Sequence, residues 1–283
     1  MTTVGVVGLG NMGSVLAANL IERGHDVVAY DAGGARCPAG ASFLGSVAEL
    51  AIRAELVVFS LPDASASEQV ARDIAQASGG RTTHVVDTST IGVAASRAID
   101  EQLSAAGIGY VDAPVSGGVA GARARTLSVM YAGTDQACQA VDSLLAGLSD
   151  RRRRVGDRPG MAQALKLANN FLSATALAAT SEAIAFGLSE GLDMETMLDV
   201  LNTSSGQSAA TTDKFPNHVL TGRYAAGFAN SLMSKDLQLY LGAVEAQGTP
   251  NVLGPVTACL WARFASSEPG ADFTRIYPFV EGS

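Results

Sequence analysis

The stretch TVGVVGLGNMG, residues 3–13, constrains the fold more than any other part of this 283-residue chain. A β-branched run leads straight into Gly-x-Gly-x-x-Gly, and Asn11–Arg23 continues with helical character. In a strand, turn and helix of this kind each glycine has a physical task. Gly8 permits the tight turn, Gly10 lets a pyrophosphate approach the backbone, and Gly13 lets the helix pack close to the sheet. Leu9, Asn11 and Met12 complete the loop, and the helix start behind them offers free N–H groups and positive potential. The next strand, DVVAY, ends at Asp31, about 18 residues past Gly13, where an acidic side chain meets the adenosine ribose hydroxyls. The pattern predicts a dinucleotide site. Asp31 repels a 2′-phosphate and so favours NAD, with NADP left possible because Arg36 is a nearby cation.

Further apolar runs follow: LVVFSL (56–61), HVVD (84–87), IGYVD (108–112) and LSVMYAG (127–133). Helical stretches separate them at 46–53, 66–77, 92–106 and 135–148, with Ser46 and Glu49 at the spacing of a capping box. Continuous apolar strands separated by helices specify a parallel sheet covered on both faces. After about residue 160 the strands stop and long Ala/Leu-rich stretches take over. The expected fold is α/β: a Rossmann-type doubly wound parallel sheet over 1–160, then an all-helical domain over 161–283. The helix read from 161 to about 189 is apolar on more than one side, so neighbours must surround it, a second subunit among them.

A net charge of −8 speaks against an extended nucleic-acid footprint. One basic run, Arg151-Arg152-Arg153-Arg154, cuts against that balance and reads as a solvated loop, since four successive charges rarely share a buried face. Cys37, Cys138 and Cys259 form no C-x-x-C pair and read as reduced thiols of a cytoplasmic protein. The apolar run after Asn170 is interrupted by Ser173, Thr175, Thr180, Ser181 and Glu182, which makes it a poor membrane span. No membrane and no metal site are expected.

Hydride chemistry at an alcohol carbon needs a group that takes the hydroxyl proton. The histidines are poor candidates: His25 lies in a turn, His84 begins a strand, and His218 reads as part of a loop. Lys166 is different. It stands near the start of the long helix among Ala162, Ala164, Leu165, Leu167 and Ala168, with Asn169 and Asn170 on the same face at i+3 and i+4. Apolar neighbours disfavour the ammonium form and bring the amine toward the range of a general base. The stretch by itself serves equally well a lysine whose stem lets it reach solvent. A second loop, VDAPVSGGVAGA (111–122), follows the fifth parallel strand at the carboxyl edge, where such folds bind ligands. Ser116, Gly117 and Gly118 offer a hydroxyl and two unobstructed N–H groups to a carboxylate, or a turn that simply crosses the sheet edge.

Taken together the chain resembles the 3-hydroxyisobutyrate dehydrogenase group of the β-hydroxyacid dehydrogenases. The resemblance rests on VGLGNMG, SLP (60–62), DTSTI (87–91), DAPVSGG (112–118), KLANN (166–170) and FANSLMSKDL (228–237), in one order over nearly the whole chain. It implies oxidation of small 3-hydroxy acids, or reduction of the matching semialdehydes, with NAD or NADP. Lys166 matches the catalytic lysine and Asn170 a substrate-orienting asparagine, with Asn169 beside it. Ser116, Gly117 and Gly118 match the carboxylate-binding segment. Leu61, Pro62 and Thr90 fall where the family contacts the cofactor, and Phe228 and Lys235 where the helical domain reaches the nicotinamide, with Asp236 behind them. The resemblance also implies a homodimer or homotetramer paired through the helical domain.

Several positions depart from the family pattern: Val93 stands for a usual proline, Arg125 for a glycine, and Ala162 for the second glycine before the lysine. Arg125, with Arg123, offers either recognition of a more acidic substrate or plain solvent exposure. Asn169, where 6-phosphogluconate dehydrogenases carry histidine, argues against a sugar phosphate. The retained lysine argues against the imine reductases. The alternatives are an NADPH-dependent reductase of glyoxylate, succinic semialdehyde or imines, and an inactive dinucleotide-binding module.

Overall fold

The structure is a computed structural model that describes residues 2–34 and 37–282; Arg36 lies outside the described residues. The chain forms two compact units, Met1–Lys166 and Leu167–Ser283.

The first unit is a nine-stranded sheet among the described residues. Strands β1 (Thr3–Val7), β2 (Asp26–Tyr30), β3 (Ala41–Phe43), β4 (Leu56–Phe59), β5 (His84–Asp87) and β6 (Gly109–Asp112) run parallel in the order β3-β2-β1-β4-β5-β6. Helices α1 (Gly13–Glu22), α2 (Val47–Arg53), α3 (Ala64–Ala75) and α4 (Val93–Ala105) make the crossovers. All four residues of β4 are buried, as a strand covered on both faces requires. One core cluster joins Val6, Val58 and Val111 to Leu16 and Leu20 of α1, and the other joins Val57, Val85 and Tyr110 to Leu50, Ile74 and Ile99 of α2, α3 and α4.

Short side chains begin several helices. Ser46 accepts from the Glu49 N–H at 3.1 Å, while the Glu49 carboxylate takes the Gly45 N–H at 3.0 Å, so half of the expected capping box forms. Asp63 accepts from the Ala66 N–H at 2.9 Å and starts α3 two residues earlier than the sequence suggested.

Beyond β6 the sheet changes direction. β7 (Val115–Ser116) and α5 (Gly118–Arg123) occupy the expected glycine loop, and β8 (Ser128–Ala132) lies antiparallel to both β6 and β7. The helix expected over 135–148 breaks at buried Val141 (φ −102°, ψ 5°) into α6 (Asp135–Ala140) and α7 (Asp142–Leu148). The arginine run is no loop. Arg151–Gly156 is strand β9, parallel to β8. Strand alternation sends Arg152 and Arg154 to one face, where they meet Asp142 at 3.5 Å and Asp135 at 2.7 Å, so the charges never share one environment. Arg125 sits at φ +58°, which accounts for the glycine common at this position. Its guanidinium donates to the Ala146 carbonyl at 3.1 Å, the last turn of α7, instead of facing solvent.

Helix α8 (Met161–Ser189) leads from the first unit into the second. The second unit continues with α9 (Met194–Leu201), a π-helical segment (Ala210–Val219), α10 (Asn230–Gln247), α11 (Gly254–Ser267), a short 3₁₀ turn and α12 (Ile276–Glu281). His218, expected in a loop, is in the π-helical segment, whose wider turns accommodate Pro216 at a place where an α-helix would clash with its ring. The core joins Ala174, Leu177 and Ile184 of α8 to Phe215, Leu237, Trp261 and Phe264. By length and composition alone α8 is apolar enough to cross a membrane, but these three residues are core of the helical unit.

Candidate active site

The first turn, between β1 and α1, is shaped by backbone. Gly8 has φ +92°, and a Cβ there would strike the Ser60 carbonyl; one on Gly13 would strike the Gly8 carbonyl. Gly10 is the opposite case: a Cβ would meet nothing within 4 Å, so this stretch of backbone lies open. Helix α1 starts at Met12 with no side-chain cap, unlike α2 and α3, which leaves its positive end for a ligand. Leu9 is buried in the core and gives its N–H to Asp31 at 2.7 Å, while the second Asp31 oxygen takes the Gly33 N–H at 2.9 Å. Asn11 is exposed and Met12 half-buried. This cradle fits a dinucleotide, with an acid anchored at the end of β2.

The loops after β4, β5 and β6 open on the same carboxyl edge. Leu61 is half-buried and donates its N–H to Ser89 Oγ at 2.8 Å; Pro62 is exposed and Thr90 half-buried. Ser116 closes β7, and Gly117 (φ +125°) and Gly118 (φ +64°) turn the chain into α5. Asn19 of α1 holds α5 through the Ala122 carbonyl at 2.9 Å.

Sequence reasoning missed a polar knot beneath these loops. Asp87 and Asp112, the first residues of two of the motifs, face each other across β5 and β6 and are fully buried. Burial pushes the Asp87 carboxyl up to about 6 and that of Asp112 up to about 7. Asp87 accepts from the Ser89 N–H at 2.8 Å, and Asp112 from the Gln163 N–H at 2.9 Å. The buried Gln163 amide takes the N–H groups of Ile91 (3.0 Å) and Gly92 (3.2 Å) and donates to the Ser89 carbonyl at 2.9 Å. Gln163 thus clamps the first turn of α8 to the β5 loop, three positions before Lys166. An acid ending each of two apolar strands, and a glutamine in an apolar helix start, were the available signals. Lys166 itself is buried, at 7% exposure.

In the second unit Asn170, 5% exposed, donates to Asp236 Oδ2 at 2.7 Å and accepts from Asn169 at 3.0 Å. Asp236 is buried on α10 with the Lys235 ammonium 3.4 Å away. Phe171 of α8 stacks on Tyr240 of α10 (centroids 4.4 Å, planes 6° apart), fixing the register that brings Asn170 to Asp236. Phe228 is half-buried edge-on to Phe273 at 5.7 Å, at the far end of α10. A cavity of about 670 Å³ lined by Cys259, Arg263 and Phe279 lies elsewhere in this unit and touches none of the candidate residues. Among the described residues no three His, Cys, Asp or Glu side chains are grouped to hold a metal.

A family profile described as the NAD binding domain of 6-phosphogluconate dehydrogenase matches residues 3–156. A second, described as "NAD-binding of NADP-dependent 3-hydroxyisobutyrate dehydrogenase", matches 160–280. The mitochondrial 3-hydroxyisobutyrate dehydrogenase of Drosophila melanogaster is 32% identical, over 98% of this chain and 89% of that protein. The chain belongs to the 3-hydroxyisobutyrate dehydrogenase group of the β-hydroxyacid dehydrogenases. The 2-(hydroxymethyl)glutarate dehydrogenase of Eubacterium barkeri is 34% identical, over 90% of this chain and 85% of its own length. The solved 3-hydroxyisobutyrate dehydrogenase of Mycobacterium tuberculosis, with L-serine, superposes with a TM-score of 0.90 at 30% identity, covering 99% of each chain. Membership makes the chain an NAD(P)-dependent hydroxyacid dehydrogenase, with the fold read from its sequence.

Proposed function

We propose that this enzyme oxidises a small 3-hydroxy acid of the 3-hydroxyisobutyrate type, or reduces the matching semialdehyde, with Lys166 as general acid and base. The burial of Lys166 carries the reading. An amine kept from water loses ammonium stabilisation, which favours the neutral form that accepts a hydroxyl proton. Ser116 and the N–H groups of Gly117 and Gly118 hold the substrate carboxylate. Asn170, its amide fixed by Asp236 and Asn169, orients the hydroxyl. In oxidation Lys166 accepts the hydroxyl proton as the carbonyl forms, and in reduction it returns that proton to the alkoxide oxygen. A bound nicotinamide supplies the hydride acceptor or donor. Gly8, Leu9, Gly10, Asn11, Met12 and Gly13 cradle the dinucleotide. Asp31 selects NAD over NADP, Leu61, Pro62 and Thr90 flank the cofactor, and the family resemblance assigns Phe228 and Lys235 to its nicotinamide end.

The helical unit serves substrate binding and pairing. Leu172 and Phe186 on α8 are 66% and 69% exposed, an apolar surface that favours a homodimer or homotetramer, and light scattering measures it. The three free cysteines fit a reducing, cytoplasmic setting.

The test is Lys166→Ala. Turnover of a panel of 3-hydroxyisobutyrate, 3-hydroxypropionate, glycerate, serine and threonate falls about 1,000-fold while NAD binding persists. Turnover within a few-fold of the parent removes the lysine from its role. A strong NADPH preference contradicts the reading of Asp31, and faster reduction of cyclic imines than of semialdehydes moves the enzyme to the imine class.

A further inference from the structure

Strands β7, β8 and β9 place three polar residues in one row. Ser116 pairs with Ser128 across β7 and β8, and Ser128 pairs with Arg151 across β8 and β9. Residues paired in this way project from the same face of a sheet. The other end of β8 is tied to the carboxyl end of β6 through Asp112 and Ala132, so the row lies beyond the edge where ligands of such sheets bind. On the same face Arg153 pairs with Met130, and Met130 packs with Met161 and Ala162 of the first turn of α8, the turn that precedes Lys166.

The four arginines of β9 divide by face. Arg152 and Arg154 lie over α6 and α7, matched to Asp142 and Asp135. Arg151 and Arg153 point the other way and are exposed, and among the described residues no carboxylate is within ion-pair distance of either. Edge strands need charge to deter pairing with other chains. That need is met by any charged side chain, and it does not explain why a chain of net charge −8 keeps two unmatched cations on the face that carries Ser116.

We infer that Arg151, with Arg153 beside it, binds a second carboxylate of the substrate, making the preferred class a 3-hydroxy dicarboxylic acid. The inference rests on the assignment of Ser116 to the first carboxylate. Two strand spacings of about 4.8 Å separate the backbones of Ser116 and Arg151. The two side chains rise from the same face, and hydrogen bonds of about 2.9 Å at each end leave roughly 4 Å between them, which suits the carboxylates of a four- or five-carbon diacid. A guanidinium grips such a group through two parallel N–H bonds.

The experiment needs no turnover. Binding of methylsuccinate and of isobutyrate, which differ by one carboxylate, is measured by calorimetry on the enzyme with NADH present. The parent binds methylsuccinate about tenfold or more tighter, and about 0.5 M NaCl shrinks that ratio, as expected for an exposed pair. In Arg151→Gln the ratio drops to about threefold or less. Arg53→Gln, the same change of charge on α2, leaves the ratio as in the parent. A ratio near one in the parent, binding of neither acid, or a ratio retained in Arg151→Gln/Arg153→Gln overturns the inference. Failure of the proposed reaction is read separately, as loss of all hydroxy-acid turnover with the binding ratio intact.

Discussion

In the sheet unit the candidate ligand contacts are mostly backbone groups, and in the helical unit they are side chains that hold one another. Gly8 and Gly13 shape the dinucleotide turn by leaving no room for a Cβ, and Gly117 and Gly118, at positive φ, turn the loop proposed to hold the carboxylate. Asn169, Asn170, Asp236 and Lys235 instead form a chain of polar contacts between α8 and α10. The difference teaches where each unit yields to substitution. A backbone cradle tolerates many side chains at its rim and no Cβ at its glycines. A side-chain network fails when a single charge or donor changes, even with shape preserved.

The sharpest way to break the contrast is Gly13→Val. The obstacle is the Gly8 carbonyl, which no rotamer change can move, so the variant loses about 3 kcal/mol of stability or more. NADH fluorescence titration shows binding abolished. A Gly13→Val protein that bound NADH normally would end the claim that backbone contact shapes this turn.

Asp236→Asn is the matching test in the helical unit. Shape is kept, but the carboxylate that receives the Asn170 amide and faces Lys235 is gone. Stability falls by about 1.5–3 kcal/mol and turnover by tenfold or so, while NAD affinity changes little. Chemical denaturation and steady-state kinetics read both, and an unchanged kcat would show that the network does not position Asn170.

Asp112→Asn sharpens the comparison within the sheet unit, where a buried side-chain knot underlies the backbone cradle. Burial raises Asp112 from 3.8 to about 7 and Asp87 from 3.8 to about 6. A carboxyl with a higher pKa in the folded state binds more protons there. Its contribution to stability is therefore greatest below about pH 4 and is lost as pH rises toward about 7. Asparagine keeps an acceptor for the Gln163 N–H without the charge, so the variant is more stable than the parent at pH 8.5 by on the order of 1–2 kcal/mol. Urea titrations at pH 5.5 and 8.5 also show a shallower pH slope in the variant, and parallel slopes would remove Asp112 as the source.

The smallest effect concerns Arg125. Glycine relieves the positive φ but forfeits the bond to Ala146, whereas alanine forfeits the bond without relief. Arg125→Gly is therefore about 1 kcal/mol more stable than Arg125→Ala by thermal denaturation. Equal stabilities would mean that the backbone there is unstrained.

The alternation of apolar strands and helices, the glycine turn with Asp31, and the long helix from Met161 to Ser189 follow from local chemistry. Periodicity and backbone sterics act between near neighbours, so these features were legible along the chain. The Arg151–Arg154 strand was not. Its partner lies more than twenty residues away in β8, and a charged run carries no hydrophobic signal of pairing. The Lys166 neighbourhood was half legible. Helical spacing put Asn170 beside it on one face, but only packing showed Gln163 bound to the loop after β5 and to Asp112 at the end of β6, and Asn170 bound to Asp236, 66 positions away. Sequence by itself determined the main parallel strands, their crossover helices and the long helix, but not the strand at Arg151–Gly156. Tertiary structure decided which polar groups are buried together, because desolvation and hydrogen bonding depend on what long-range packing brings within about 3 Å.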